Sequence, residues 1–177
     1  MKEFDIFGLS LSVFDTVKGG LQIDKKPAKK LLQALTGHSK LAKLTLVGSQ
    51  IGTSGQSTYF LGDTYKGVDC AEFAVLFQNP ESKLASFSLE VNDTLDEDAA
   101  TLAEILTGNS SLKDLDLSWN PSITNRGWWS IFTVVQSPSC TLEKLSLRGC
   151  FISDAAACSL SGALTNCSSL KSLNLSR

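Results

Sequence analysis

One histidine, His38, is all that this chain of 177 residues contains, and that scarcity removes most general-base chemistry at once. A general base needs a partner within hydrogen-bond reach, and no nucleophile or orienting carboxylate stands at a recognisable spacing from His38. It reads as a solvated loop residue. A phosphate-cradling loop is missing too, because Gly48, Gly52 and Gly55 lack the G-x-x-x-x-G-K-[ST] order. The five cysteines (70, 140, 150, 158 and 167) include no C-x-x-C pair and form no metal-ligand pattern. Reduced, structural thiols are therefore expected, with no metal and no cofactor. No apolar run approaches the ~20 residues that a membrane-spanning helix needs. Sixteen basic residues face eighteen acidic ones, a net charge of −2, without a block of either sign; that is not a nucleic-acid footprint. The start, Met1-Lys2-Glu3-Phe4-Asp5, places acid where a secretory signal would be basic and then apolar. A cytoplasmic, non-enzymatic protein is expected, in which the Asn-x-Ser/Thr triplets carry no sugar.

What the chain has in abundance is one phrase: leucine, two variable residues, leucine, one variable residue, leucine. Its best copies are Leu112-Leu115-Leu117, Leu142-Leu145-Leu147 and Leu170-Leu173-Leu175; Leu41-Leu44-Leu46 and Leu84-Phe87-Leu89 follow, and Ile6-Leu9-Leu11 is the weakest. Starts at 6, 41, 84, 112, 142 and 170 give spacings of 35, 43, 28, 30 and 28. The basic unit is thus 28 to 30 residues, and the long second unit carries an insertion over 52–68. A second pattern keeps phase with the first. Each complete unit holds core-facing positions at i, i+4, i+7 and i+8, the stripe of an amphipathic helix. Pro27, Leu31, Ala34 and Leu35 fill them first, and Phe73, Leu76 and Phe77 next, with Asp69 odd. Leu102, Ile105 and Leu106 follow, with Asp98 odd, and then Gly127, Ile131, Val134 and Val135. Ala156, Leu160, Ala163 and Leu164 complete the set.

The alternating leucines at the end of the phrase predict a short strand, and the stripe predicts a helix covering the same core. Successive strands then run the same way and stack as a parallel sheet. One unit exposes its apolar face, whereas a stack buries about 1.5–3 kcal/mol of side-chain transfer energy per core residue. Thr36-Gly37, Thr107-Gly108 and Thr165-Asn166 sit where a left-handed C-cap is expected. Asp96, Glu97, Asp98 and Asp154 lie near helix starts, where carboxylates meet free N–H groups. Three residues past the last strand leucine, a side chain must satisfy the turn; Ser49, Asn92, Asn120 and Cys150 occupy that place, and Phe14 breaks the pattern in the first unit.

Units such as Leu142 to Ile152 resemble the ribonuclease-inhibitor-like class of leucine-rich repeats. That class includes ribonuclease inhibitor, the GTPase-activating protein of Ran, tropomodulin and the sensing arms of NOD-like receptors. The resemblance implies an α/β, right-handed curved solenoid of about five and a half repeats in a single domain over 1–177. Parallel strands would line the concave face and helices the convex one. It also implies a protein-interaction module binding a protein partner, with a regulator of a small GTPase as the alternative.

The predicted contact surface follows from strand alternation. One outward ladder runs Ser10, Thr45, Ser88, Asp116, Ser146, Asn174; the ladder before it runs Gly8, Lys43, Ser86, Asp114, Lys144, Ser172. The ladder after it runs Ser12, Val47, Glu90, Ser118, Arg148, Ser176. The candidate partner-binding residues are Lys43, Thr45, Ser88, Glu90, Asp114, Asp116, Ser118, Lys144, Ser146 and Arg148. Trp119 joins them, either as an interface anchor or as packing over its own loop. Tyr59, Phe60 and Tyr65 of the insertion are candidates too, on a loop that either binds or is merely tolerated. Trp128 and Trp129 are expected to fill the wedge between helices. The last strand, ending Leu173-Asn174-Leu175-Ser176-Arg177, offers an uncovered edge; a piece of a longer solenoid is expected, with self-association at that edge as the alternative.

Overall fold

Alternating leucines set the sheet. The computed structural model describes residues 9–14, 35, 41–47, 70–90 and 94–177. Expectations resting on Ile6, Gly8, Pro27, Leu31, Ala34, Gly37, His38, Ser49, the 52–68 insertion with Tyr59, Phe60 and Tyr65, Asp69 and Asn92 lie outside them. Among the described residues six strands form one sheet in chain order: β1 (Leu9–Phe14), β2 (Leu41–Val47), β3 (Ser86–Ser88), β4 (Asp114–Asp116), β5 (Lys144–Ser146) and β6 (Ser172–Asn174). Every neighbouring pair is parallel. Between strands lie a 3-10 turn (Cys70–Phe73) leading into α1 (Ala74–Phe77), then α2 (Asp96–Leu106), α3 (Asn125–Gln136) and α4 (Asp154–Thr165). Helix α2 packs on α3, and α3 on α4. Neighbouring strands need about 4.8 Å, but packed helices need about 8–10 Å between axes. The stack therefore bends with its strands inside.

Register and burial agree in the core. Leu44, Phe87, Leu115 and Leu145 are consecutive partners across β2 to β5, and each is sealed from solvent. The helical stripe meets them: Phe73, Leu76, Phe77, Leu102, Ile105, Leu106, Ile131, Val134, Val135, Ala156, Leu160 and Ala163 are all buried. Where phenylalanine replaces the central strand leucine, Phe73 and Phe77 meet Phe87 edge-on at 5.0 Å each. Asp98, the odd member of the third stripe, is fully buried and accepts the Leu95 N–H through Oδ2 at 3.2 Å, closing the start of α2. The turn position works as the spacing predicts at Asn120 and Cys150. Asn120 Nδ2 donates to Leu89 O (2.8 Å), Leu117 O (2.9 Å) and Ser118 O (3.2 Å), while Oδ1 accepts from Thr94 N at 3.1 Å. Cys150 Sγ donates to Leu117 O at 3.3 Å. Each turn residue thus bonds the unit before it.

Five expectations are corrected. The first strand is displaced by two residues: Ser10 stands opposite Lys43 and Ser12 opposite Thr45, with a register irregularity between Leu9 and Ser10. The weak first phrase contained no three-leucine anchor, so its count slipped by one alternation, which preserves facing and leaves the pattern unchanged. For the same reason Phe14, opposite Val47, is a strand residue and not the turn residue. Gly108 does adopt a left-handed conformation (φ +80°), but Asn166 closes α4 at φ −104°. Trp128 is buried and stacked on Phe132 at 6.3 Å, whereas its neighbour Trp129 points outward and is 62% exposed. Cys158 is likewise exposed on α4 instead of packed inside.

Candidate interaction face

The helix starts fix the spacing of the units. Asp96, at the start of α2, accepts from Thr124 N (2.7 Å), Thr124 Oγ1 (2.5 Å) and Gly127 N (3.1 Å), so a carboxylate of one unit caps the helix of the next. Gly127 is required there, since a Cβ would stand 2.6 Å from Asp96 Oδ1 and 2.7 Å from Ile123 Cγ2. Ser153 repeats the device one unit on, accepting from Ala156 N and donating to Asn125 Oδ1 at 2.5 Å. These links hold strands β3 to β6 in a continuous register, and the register builds the face.

Across that face the central ladder reads Thr45, Ser88, Asp116, Ser146, Asn174, and the ladder before it Lys43, Ser86, Asp114, Lys144, Ser172. Asp114 and Lys144 are direct partners in register. Beyond the strands proper the chains stay paired: Leu117 N donates to Ser146 O at 2.9 Å, Trp119 N to Arg148 O at 2.7 Å and Gly149 N to Ser176 O at 2.8 Å. Asp116 Oδ1 accepts from both Ser118 N (2.9 Å) and Ser118 Oγ, and Ser118 Oγ lies 2.8 Å from Ser146 Oγ. Asn174 holds Ser176 in the same way, through N (3.0 Å) and Oγ (2.8 Å). Ser118 and Ser88 are consequently buried and offer little surface. Lys43, Lys144, Arg148 and Trp119 are exposed, while Thr45, Glu90, Asp114, Asp116 and Ser146 are half-buried. No hydrogen bond engages Asp116 Oδ2 among the described residues. At the margin, Glu143 Oε2 meets Lys171 Nζ at 2.6 Å. That hydrogen bond first, and the lysine's charge second, hold the Glu143 carboxyl below the usual glutamate range. Burial pushes the Cys150 thiol up, consistent with a turn-forming role.

Trp119 is the unusual member. Its backbone is left-handed at φ +56°, the one non-glycine residue so placed among those described. The equivalent position one unit later is Gly149, at φ +67°. The fold thus demands a left-handed residue here and receives tryptophan, at a cost of about 1–3 kcal/mol. The ring lies across Gly149, where a Cβ would come within 2.5 Å of it, and Arg148 sits over the ring face at 5.8 Å. Even so, Trp119 remains 42% exposed. It packs over the next unit's loop, not its own, and still presents an edge outward. The Trp119–Gly149–Arg148 nest was not foreseen; the signal was the shared place of Trp119 and Gly149 in the repeat. Two further apolar side chains lie open near the last strand, Phe151 at 76% and Leu175 at 46% exposure. Among the described residues no helix is long and apolar enough to cross a membrane.

The comparisons agree with this geometry. A family described as "Leucine Rich repeat" matches residues 108–127, which span β4, Trp119, Asn120 and the start of α3. The chain is 30% identical over 96 residues (54% of its length) to mouse "NACHT, LRR and PYD domains-containing protein 4E". It is 28% identical over 159 residues (90%) to the bovine "NACHT, LRR and PYD domains-containing protein 5" and 32% identical over 142 residues (80%) to the mouse protein 14. The matched stretches are 10% to 13% of those relatives, so the chain spans only about a tenth of their length. Among solved structures, the tropomodulin C-terminal domain of Caenorhabditis elegans superposes with a TM-score of 0.59 at 16% identity, covering 81% of this chain and 77% of that one. Repeating phrase, register-matched parallel strands, family match and shared fold lead to one conclusion: the chain is a leucine-rich-repeat protein.

Proposed function

We propose that this chain is a cytoplasmic, non-catalytic interaction module of the ribonuclease-inhibitor-like kind, binding a protein partner through the inner strand face. The contact surface is centred on Trp119, Asp116, Asp114, Lys144 and Arg148, with Lys43, Thr45, Glu90 and Ser146 around them; residues 52–68 supply a further contact. One observation carries the reading: a half-exposed tryptophan is held in a conformation that its neighbour unit fills with glycine. Backbone strain of this kind persists where surrounding structure enforces it, and it concentrates at functional positions. Tryptophan and arginine are also the side chains that most often anchor interfaces. Acidic Asp114 and Asp116 beside basic Lys144 and Arg148 suit a protein surface of mixed charge and not a polyanion. The names of the relatives place leucine-rich repeats beside other domains, which fits a module that recognises while chemistry lies elsewhere.

The test begins with affinity capture and identification of a partner, followed by titration of that purified partner. Trp119→Gly should weaken binding at least tenfold while leaving the fold as stable as before, because glycine suits the left-handed backbone. Asp116→Ala should also weaken it, and Trp129→Ala, on the helical side, should not. Unchanged affinity for both Trp119→Gly and Asp116→Ala would remove this face from consideration. The exposure of Phe151 and Leu175 supports a further contact, self-association between two copies through these apolar side chains. Light scattering that returns a monomer at high micromolar concentration would contradict it.

A further inference from the structure

Two exposed cations stand on the fifth unit of the inner face, Lys144 and Arg148, and the fold treats them differently. Lys144 has Asp114 as its direct partner in register on β4. Arg148 has no such acid. The chains stay in phase past the strands, with Trp119 N bonded to Arg148 O and Gly149 N to Ser176 O. The residues flanking Arg148 in its ladder are therefore Ser118 and Ser176, both uncharged. Asp116, on the neighbouring ladder, has Oδ1 engaged by Ser118 N and Oγ. Among the described residues the Arg148 guanidinium makes no hydrogen bond or ion pair, and the Lys171–Glu143 pair lies at the opposite end of the strands. What Arg148 has instead is a ring: its guanidinium carbon lies 5.8 Å from the centroid of Trp119. That contact attracts the cation and shields it from water on one side, but supplies no counter-charge. The ring is itself fixed by the left-handed backbone of Trp119 and by Gly149 beneath it. Trp119 is 42% exposed, and Pro121 in the same turn is exposed as well, so an apolar rim adjoins the guanidinium.

We propose that Trp119 and Arg148 form a clamp for an acidic peptide segment of the protein partner. An aspartate or glutamate carboxylate binds the guanidinium, and a neighbouring large apolar side chain lies against the Trp119 ring edge and Pro121. The clamp rests on the inner strand face being the contact surface, and it names what that surface takes. Charge complementarity selects the occupant. A basic segment would meet an arginine that already lacks a counter-ion, and a polyanion would meet Glu90, Asp114 and Asp116 on the adjoining units. A single carboxylate beside an apolar group answers both the bare cation and the exposed ring. The guanidinium offers paired N–H donors that match a carboxylate's two oxygens. Because the ring already holds the long arginine side chain, less of its freedom is lost on binding.

A random-peptide display library is selected on the immobilised full chain, and the enriched peptides are synthesised and titrated against the free protein by tryptophan fluorescence. The expected peptides carry aspartate or glutamate beside a large apolar residue, and the fluorescence change disappears in Trp119→Gly. Arg148→Gln should weaken them by about tenfold or more, as the loss of a charge-assisted hydrogen bond requires. Lys171→Gln removes the same charge from a lysine already paired with Glu143 and should leave affinity unchanged. Changing the peptide's own carboxylate to its amide should cost as much against the unaltered protein, which keeps the test decisive if Arg148→Gln does not fold. Absence of enrichment, enriched peptides without a carboxylate, or equal affinity for the amide form would overturn the clamp. Where enriched peptides ignore Arg148→Gln but lose affinity in Trp119→Gly or Asp116→Ala, the clamp fails and the inner face stands. Peptides indifferent to all three changes would sink both readings.

Discussion

Replacing Asn120 with alanine should destabilise the protein more than its small size suggests. Its side chain is fully buried and ties three stretches of backbone together: Thr94 N–H, Leu89 C=O, and the Leu117–Ser118 carbonyls. Leu117 O retains the Cys150 thiol as a second donor, so its loss is partial. The Thr94 amide and the Leu89 carbonyl lose the side-chain bond between units outright. An orphaned buried polar group costs about 1–3 kcal/mol, which gives about 2–6 kcal/mol for the pair. Against a total of about 5–15 kcal/mol for a domain, that is a large fraction. Asn120→Cys supplies an internal control. Cys150 shows that a thiol in this position reaches the preceding carbonyl, but it cannot accept from Thr94 as the amide oxygen does. Its cost should be roughly half of the alanine cost. Urea unfolding followed by far-UV circular dichroism and tryptophan fluorescence would measure both. Near-UV dichroism should also report the release of Trp119 from Arg148, since Asn120 closes the turn that holds it. A loss under ~1 kcal/mol with an unchanged near-UV spectrum would refute the view that this turn is what couples the units.

Three other outcomes are expected. Asp96→Ala removes the carboxylate that caps the next helix and should cost about 1–2 kcal/mol by urea titration, because Thr124 and Gly127 N–H lose their acceptor. Gly149→Ala forces a side chain onto a φ of +67° and into the Trp119 ring; it should cost about 1–3 kcal/mol and shift Trp119 fluorescence, and an unaltered spectrum would contradict the seating of the ring. Glu143 has a depressed folded-state pKa, so its contribution is present above the ordinary glutamate value of 4.5 and is lost as pH falls through the lowered one. Glu143→Gln should therefore flatten stability only on the acid limb, and a change confined to neutral or alkaline pH would contradict that sign.

The leucine phrase alone determined the strand order, the parallel sheet and the core, because a period of two and a helical stripe in phase leave one way to bury both. It located the turn residues Asn120 and Cys150, and it placed Asp114, Asp116, Lys144 and Arg148 on one face. It misplaced β1 by two residues, since Ile6-Leu9-Leu11 lacks the third leucine that fixes the count and a slip of one alternation leaves the facing unchanged. Tertiary structure alone decided how deep each ladder residue sits: Ser88 and Ser118 alternate like Asp116, yet neighbouring side chains cover them. It also decided that Trp119 lies across Gly149 under Arg148. Those contacts join residues about one repeat apart, and a linear pattern records position within a unit but not which loop leans on which. That depends on the stacking distance between units, which is set by the packing of whole helices and strands.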